Sequence, residues 1–159
     1  MHTVYLALGS NLGDRASNIE RALHLLGQEA VKPVCIATPI TTAPEGFASA
    51  NLFLNTAGEF TTALSPLALL RATQRVELRL GRTTKSLGGV YHDRTIDIDI
   101  LFYDNLVATL PGLEIPHPRL SSRLFVLRPL CEIAPQLRHP VSGQTIAELC
   151  QAATLQTET

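Results

Sequence analysis

Two aspartates two residues apart, Asp97 and Asp99, alternate with isoleucines in the segment 94–101. On a β-strand, side chains two residues apart point to the same face, and their Cα atoms lie roughly 6.5 to 7 Å apart. Two carboxylates this close repel each other unless a cation lies between them. Mg²⁺ suits such a pair, because it takes a few carboxylates together with water and substrate phosphates. The pair therefore predicts a magnesium site for phosphate chemistry.

Basic residues accompany this acidic pair, although the chain as a whole is not basic. Its 159 residues include 13 Lys and Arg against 14 Asp and Glu, so no global positive field favours nucleic acid or an anionic membrane. The nearby basic residues are Arg82, Lys85, Arg94, His117, Arg119 and Arg123. A solvated acidic edge strand is the alternative interpretation of the two aspartates, and these cations favour the metal site.

Other catalytic motifs do not occur in the sequence. It contains no G-x-x-x-x-G-K-[ST] phosphate loop and no G-x-S-x-G elbow. His92, His117 and His139 lack zinc-ligand spacing. The segment 9–14 lacks G-x-G-x-x-G and is typical of a turn with a helix cap. Glu77, taken alone, is predicted to be solvated rather than to contact a nucleotide.

The cysteines and the apolar runs indicate where the chain resides. Cys35, Cys131 and Cys150 form no C-x-x-C pair, which is typical of a reducing compartment. The apolar run 4–8 is too short for a signal peptide, and no run approaches the ~20 apolar residues of a membrane span. We expect a cytoplasmic monomer with a single domain over residues 1–159.

Hydrophobic periodicity predicts the elements that hold these residues. Period-two alternation or β-branched composition predicts strands at 4–8, 34–42, 53–61 and 95–102. Three- and four-residue spacing predicts helices that begin at two N-cap residues, Asp14 and Ser65, and end at Gly27 and Gly81.

The C-terminal third is predicted to add helices after a long loop. The loop 82–94 has no period and is typical of functional loops. A short helix is expected from Ser121 or Ser122 to near Pro129. A last helix begins at about Ile146, followed by a loosely packed tail after about Ala152.

The order strand, helix, strand, strand, helix, strand predicts an α+β fold, the ferredoxin-like βαββαβ plait with a C-terminal helical extension. Such a plait has an antiparallel sheet with helices on one face. It hosts enzymes, RNA binders and regulatory modules. Two alternatives stay open: a metal-dependent nucleotide-sugar transferase, and a regulatory module whose acidic strand is solvated. Metal-dependent nucleotide binding separates the module from either enzyme.

The chain resembles the 6-hydroxymethyl-7,8-dihydropterin pyrophosphokinases, folate-pathway enzymes that move a pyrophosphoryl group from ATP to a pterin alcohol and leave AMP. The motifs D-R-T-x-D-x-D at 93–99 and P-H-P-R at 116–119 are individually strong. The other matching segments follow in order at 9–12, 42–46, 53–55, 74–82 and 123–135.

The resemblance implies roles for individual residues. Asp97 and Asp99 would bind two Mg²⁺ ions that bridge the ATP phosphates. The catalytic residues beside these metal ligands would be Arg82 and Arg94. The nucleotide-binding residues would be Gln74, Glu77, Lys85, Ile100, His117 and Arg123. The pterin-binding residues would be Thr42, Pro44, Phe53, Asn55, Tyr91 and Phe125. The pterin would stack between the two phenylalanines, with its polar edge bound by Asn55.

The segment 85–92 departs from the family pattern, as do Glu45, Gly112 and Glu114. Val90 and Tyr91 stand where familiar members have an Arg-Trp pair, and the loop is two residues longer. Whether Lys85 or no cation covers the phosphates is therefore open.

Overall fold

The computed structural model describes residues 1–43, 52–81 and 95–158. Its strands are β1 (His2–Ser10), β2 (Val31–Ile36), β3 (Ile40–Thr42), β4 (Phe53–Thr62), β5 (Asp97–Tyr103), β6 (Ala108–Leu110) and β7 (Leu113–Ile115). Its helices are α1 (Arg15–Gln28), α2 (Pro66–Arg79), α3 (Leu124–Ile133) and α4 (Ile146–Glu158), with a 3₁₀ turn at Leu120–Ser122.

One five-stranded antiparallel sheet holds the fold together. Its strand order is β2-β4-β1-β5, and β3 pairs with β4 beyond the end of β2. This order, together with the crossover helices α1 and α2, is that of the ferredoxin-like plait, so the predicted α+β fold class is confirmed. The strands β6 and β7 form a separate hairpin.

Both faces of the sheet are covered. Alternate β1 residues Val4, Leu6 and Leu8 are buried in a cluster with α1 and α2. On the opposite face, Tyr5 is buried in a second cluster that includes residues of α3 and α4. The two plait helices α1 and α2 lie on one face as expected, and the helices of the C-terminal extension cover the other apolar face.

The predicted helix starts are those of the structure. The Asp14 carboxylate accepts a hydrogen bond from the Ser17 N–H at 3.1 Å, and the Ser65 hydroxyl accepts one from the Ala68 N–H at 3.3 Å. Each bond satisfies one of the free amides at a helix N-terminus. At its other end α1 continues one residue past Gly27, and Ala30 takes the left-handed conformation at φ 64°.

The predicted strand 34–42 is two strands. The Thr38 N–H donates to the Glu132 carboxylate instead of to a neighbouring strand, and Pro39 has no N–H to donate. The ladder with β4 is therefore interrupted between Ala37 and Ile40.

The C-terminal predictions need three corrections. Helix α3 begins at Leu124 and contains Pro129 within it, so the expected end near Pro129 is wrong. Helix α4 continues to Glu158 with Ala153 buried, so the expected loose tail after Ala152 is also wrong. The β6–β7 hairpin was not predicted. Its Pro111-Gly112 turn, with Gly112 at φ 74°, is the signal that could have found it.

Gly58 provides a test of the packing on the α1 side of the sheet. A Cβ at this position would press against the Ile36 side chain and lie 2.9 Å from Cε1 of the buried Phe60 ring. We expect Gly58→Ala to lower the free energy of unfolding by about 1–3 kcal/mol in urea titration. The control is Gly27→Ala in α1, where a Cβ meets nothing within 4 Å. This variant should be neutral or up to about 1 kcal/mol more stable. Equal stabilities for the two variants would contradict this packing.

Candidate active site

The strand register places two polar side chains on either side of Gly9. This glycine is opposite Asn55 in β4 and opposite Asp97 in β5. Residues directly opposite each other in an antiparallel sheet share a face, and neighbouring strands lie ≈ 4.8 Å apart. The backbones of Asn55 and Asp97 therefore lie roughly 10 Å apart, with their side chains on the same face.

The acidic pair lies on the face of β5 that points away from α1 and α2. Asp97 and Asp99 are half-buried, while Ile96, Ile98 and Ile100 are buried in the cluster with α1 and α2. The alternation places both carboxylates on the face toward α3. The Ile100 side chain points away from them, so any contact between Ile100 and a ligand on their face would use its backbone.

Glu77 is buried, which makes the solvated interpretation wrong. Only 2% of Glu77 is exposed, and its carboxylate accepts a hydrogen bond from the Ile98 N–H at 2.9 Å. A buried carboxylate needs such donors, because burial without them is costly. Glu77 thus joins α2 to the strand that carries the two aspartates, at the residue between them.

His117 is held as a neutral imidazole. Its Nδ1 accepts a hydrogen bond from the Arg119 N–H at 3.2 Å, which leaves the ring proton on Nε2. Burial lowers the pKa of His117 to about 4, aided by the positive charges of Arg123 and Arg119 and opposed by the negative charge of Asp97. At pH 7 His117 is therefore an uncharged hydrogen-bond donor near the charges of Arg119, Arg123 and Asp97.

The Asn55 side chain packs against the backbone of Gly9, where only a glycine leaves room for it. The side chain is 8% exposed, and its Nδ2 donates a hydrogen bond to the Thr42 hydroxyl at 2.6 Å. A Cβ on Gly9 would lie 2.5 Å from Asn55 Oδ1 and 3.4 Å from Phe53 Cδ1. Sequence reasoning assigned Gly9 to a turn and missed this close approach. A glycine inside a strand was the available signal.

The two phenylalanines predicted to bind the pterin, Phe53 and Phe125, lie on this face of the sheet. Phe53 is opposite Thr42 in the β3–β4 pairing, two residues from Asn55 and therefore on the same face. Phe125 lies in the first turn of α3 and packs against the cluster that lines this face. The Arg123 guanidinium carbon lies 5.5 Å from the centre of the Phe125 ring, a cation–π distance.

The remaining predicted residues divide into two groups. Gln74 is half-buried on α2, one helical turn before Glu77. The predicted residues outside the described part of the chain are Pro44, Arg82, Lys85, Tyr91 and Arg94.

The donor set fits Mg²⁺. Within the described residues, no three His, Cys, Asp or Glu side chains are grouped to hold a metal ion without other ligands. Two carboxylates on one strand face suit an ion that takes its other ligands from water and substrate phosphates. The neutral His117 and the neighbouring arginines suit the phosphates themselves.

The plait thus places a carboxylate pair and a buried amide flanked by phenylalanine on one face of an α+β sheet. The family model described as 7,8-dihydro-6-hydroxymethylpterin-pyrophosphokinase (HPPK) matches residues 5–135. The chain belongs to this family, and the predicted family is confirmed.

Curated relatives cover most of the chain. The chain is 46% identical over 141 residues to the 2-amino-4-hydroxy-6-hydroxymethyldihydropteridine pyrophosphokinase of Porphyromonas gingivalis, covering 88% of this chain and 95% of the relative. It is 42% identical over 146 residues to the enzyme of the same name from Bacillus subtilis, covering 91% of this chain and 86% of the relative.

Solved structures share the fold. The wild-type HPPK-DHPS of Plasmodium falciparum with pteroate has a TM-score of 0.77 at 16% identity. The alignment covers 99% of this chain and 43% of that one, so the chain spans less than half of the solved protein. None of the helices in the described ranges is long and apolar enough to cross a membrane.

The depressed pKa of His117 predicts a pH effect with a definite sign. The folded value of about 4 lies below the ordinary value of 6.5, so the unfolded chain takes up this proton first as pH falls. The His117 contribution to stability is complete above about pH 6.5 and is lost as pH falls toward 4. We expect the His117 ring signals in NMR to titrate near pH 4, assigned by their loss in His117→Asn. This variant should also lack that part of the acid-induced loss of stability. A midpoint between pH 6 and 7 would contradict the buried, neutral ring.

Proposed function

We propose that this chain transfers the pyrophosphoryl group of ATP to 6-hydroxymethyl-7,8-dihydropterin, giving AMP and the pterin diphosphate. The observation that carries the proposal is the register of β1, which puts Asn55 and Asp97 on one face on either side of Gly9. A pterin bound on the Asn55 side can extend its hydroxymethyl group across the glycine toward phosphates on the Asp97 side. Family membership supports the same reaction.

Asp97 and Asp99 would hold two Mg²⁺ ions together with the ATP phosphates. When bound, Mg²⁺ neutralises phosphate charge and fixes the orientation of the transferred group. In the proposal Arg82, Arg94 and Arg123 bind the phosphate oxygens, and Lys85 is a further candidate cation for them. Cationic donors of this kind stabilise the charge that spreads over the phosphoryl oxygens in the transition state.

The pterin pocket would use stacking and hydrogen bonding together. Phe53 and Phe125 provide aromatic faces for the bicyclic ring, and Pro44 and Tyr91 complete the proposed lining. The Thr42 hydroxyl holds the Asn55 amide in one orientation through the 2.6 Å hydrogen bond. A fixed amide binds the polar edge of the ring and sets the hydroxymethyl oxygen in line with the β-phosphorus of ATP.

The nucleotide would lie beside α2 and the segment after β7. His117 stays neutral at pH 7 and can donate its Nε2–H to the nucleotide without adding charge. Gln74, Glu77 and the Ile100 backbone complete the proposed nucleotide site. A monomeric cytoplasmic enzyme of one domain that binds no nucleic acid is our proposal for the chain as a whole.

The reaction is tested by the nucleotide product. We expect AMP when the purified chain is incubated with ATP, Mg²⁺ and the pterin, and no AMP when either the pterin or Mg²⁺ is omitted. Asp97→Asn and Asp99→Asn should each lower turnover at least 100-fold, because each removes a charged ligand from the metal site. The control is Asp104→Asn just beyond β5, whose carboxylate accepts from the Thr3 N–H at 2.9 Å. This variant should retain turnover.

Two results of that experiment would overturn the proposal. Formation of ADP in place of AMP would mean transfer of a single phosphoryl group. Full turnover by either aspartate variant, with Asp104→Asn unchanged, would mean that the metal lies elsewhere.

The pocket assignment is tested by comparing two ligands. Asn55→Ala removes the buried amide, and the loss of buried hydrogen bonds should raise the pterin Kd roughly 10- to 100-fold. The Kd of Mg-ATP should change less than about twofold, because the nucleotide lies across β1 from this residue. Isothermal titration calorimetry measures both constants on the same preparation. Equal weakening of the two ligands would place Asn55 outside the pterin pocket.

A further inference from the structure

The Glu132 carboxylate joins α3 to the linker between β2 and β3. One oxygen of Glu132 accepts from the Thr38 N–H at 2.6 Å, and the other accepts from the Thr38 hydroxyl at 2.8 Å. Both residues are exposed, so solvent weakens the two bonds, but a pair of bonds to one carboxylate fixes direction as well as distance. We call this pair of bonds the Glu132–Thr38 clamp.

The linker end of the clamp is fastened to β4. The Ala37 N–H donates to the Ala57 carbonyl at 2.9 Å, and the Thr56 hydroxyl donates to the Ala37 carbonyl at 2.7 Å. Pro39 then leads directly into β3. Thr38 therefore lies between two residues held by β4, Ala37 and Ile40, where the chain enters β3.

The helix end of the clamp shares a stripe of α3 with Phe125. Phe125 and Glu132 are seven residues apart in α3, which is two turns, so the side chains lie on the same side of the helix roughly 10 Å apart. From Thr38 to Thr42 the chain advances four residues, roughly 13 Å in extended conformation. Glu132 thus lies two helical turns from Phe125, and Thr38 lies one short strand from Thr42.

We propose that Glu132 is a positioning residue that sets the separation between the two walls of the pterin pocket. One wall is Phe125 on α3, and the other is Thr42, Phe53 and Asn55 on β3 and β4. The proposal rests on the proposed function in assigning this pocket to the pterin. Glu132 contacts no substrate in this account and acts through the placement of α3 against β3.

Glu148 offers a matched control for a structural role alone. Its carboxylate accepts from the N–H and the hydroxyl of Thr145, each at 3.0 Å, so it makes the same two kinds of hydrogen bond. It lies on α4, which carries none of the proposed pocket residues. Loss of Glu148 should cost stability and leave the pocket walls in place.

The test compares Glu132→Ala, Thr38→Val and Glu148→Ala in the full chain. We expect Glu132→Ala to raise the pterin Kd about tenfold and to leave the Mg-ATP Kd within about twofold. Thr38→Val keeps the backbone donor, so its effect should be smaller, and Glu132→Ala/Thr38→Val should bind pterin no worse than Glu132→Ala alone. Glu148→Ala should leave both constants within about twofold. Equal losses for both ligands, or equal behaviour of Glu132→Ala and Glu148→Ala, would overturn the proposal.

Hydrogen–deuterium exchange separates this proposal from the proposed function. In the ligand-free chain, amides of β3 and of the first turn of α3 should exchange faster in Glu132→Ala than in wild type, and at wild-type rates in Glu148→Ala. Unchanged exchange in Glu132→Ala would overturn the clamp even if wild type binds pterin. A wild-type chain that binds no pterin would overturn the proposed function, and the exchange rates would still decide the clamp.

Discussion

The pairing of β1 with both β4 and β5 is the constraint on which the site depends. Because β1 is held on both sides, Gly9 has a fixed neighbour in each adjacent strand, Asn55 in one and Asp97 in the other. A slip of one residue on either side would move one of these side chains to the opposite face. The relative position of Asn55 and Asp97 is therefore set by the backbone ladders on both sides of β1.

One face of the sheet is a closed apolar core, and the other face carries the candidate site. The face toward α1 and α2 is closed by buried apolar side chains, including the isoleucines that alternate with the aspartates. The other face is closed by α3 and α4 around Tyr5 and Phe102, while the end near Gly9 carries the polar residues. Glu77 links α2 to β5, because its buried carboxylate accepts a hydrogen bond from the Ile98 N–H between the two aspartates. The strand with the two aspartates is thus anchored by the same core that stabilises the fold.

The sequence was sufficient where the deciding interactions are local. Period-two alternation predicted that Asp97 and Asp99 share a face, and capping residues predicted where α1 and α2 begin. It was insufficient where distant residues decide. The buried Glu77 carboxylate has its hydrogen-bond donor at Ile98, 21 residues further along the chain. The predicted strand 34–42 is divided where Thr38 binds Glu132, which is 94 residues away. Proline normally disrupts the interior of a helix. Pro129 nevertheless lies inside α3, because the neighbouring side chains are buried against the sheet.

The most direct test of the account is a crystal structure of the chain with Mn²⁺, a non-hydrolysable ATP analogue and 6-hydroxymethyl-7,8-dihydropterin. Anomalous scattering from Mn²⁺ locates the ions without reference to the surrounding density. The account predicts two ions bound to the carboxylates of Asp97 and Asp99, with the pterin against Asn55 and its hydroxymethyl group directed across Gly9 to the β-phosphorus. Ions bound away from both aspartates, or a pterin on the opposite face of the sheet, would contradict it.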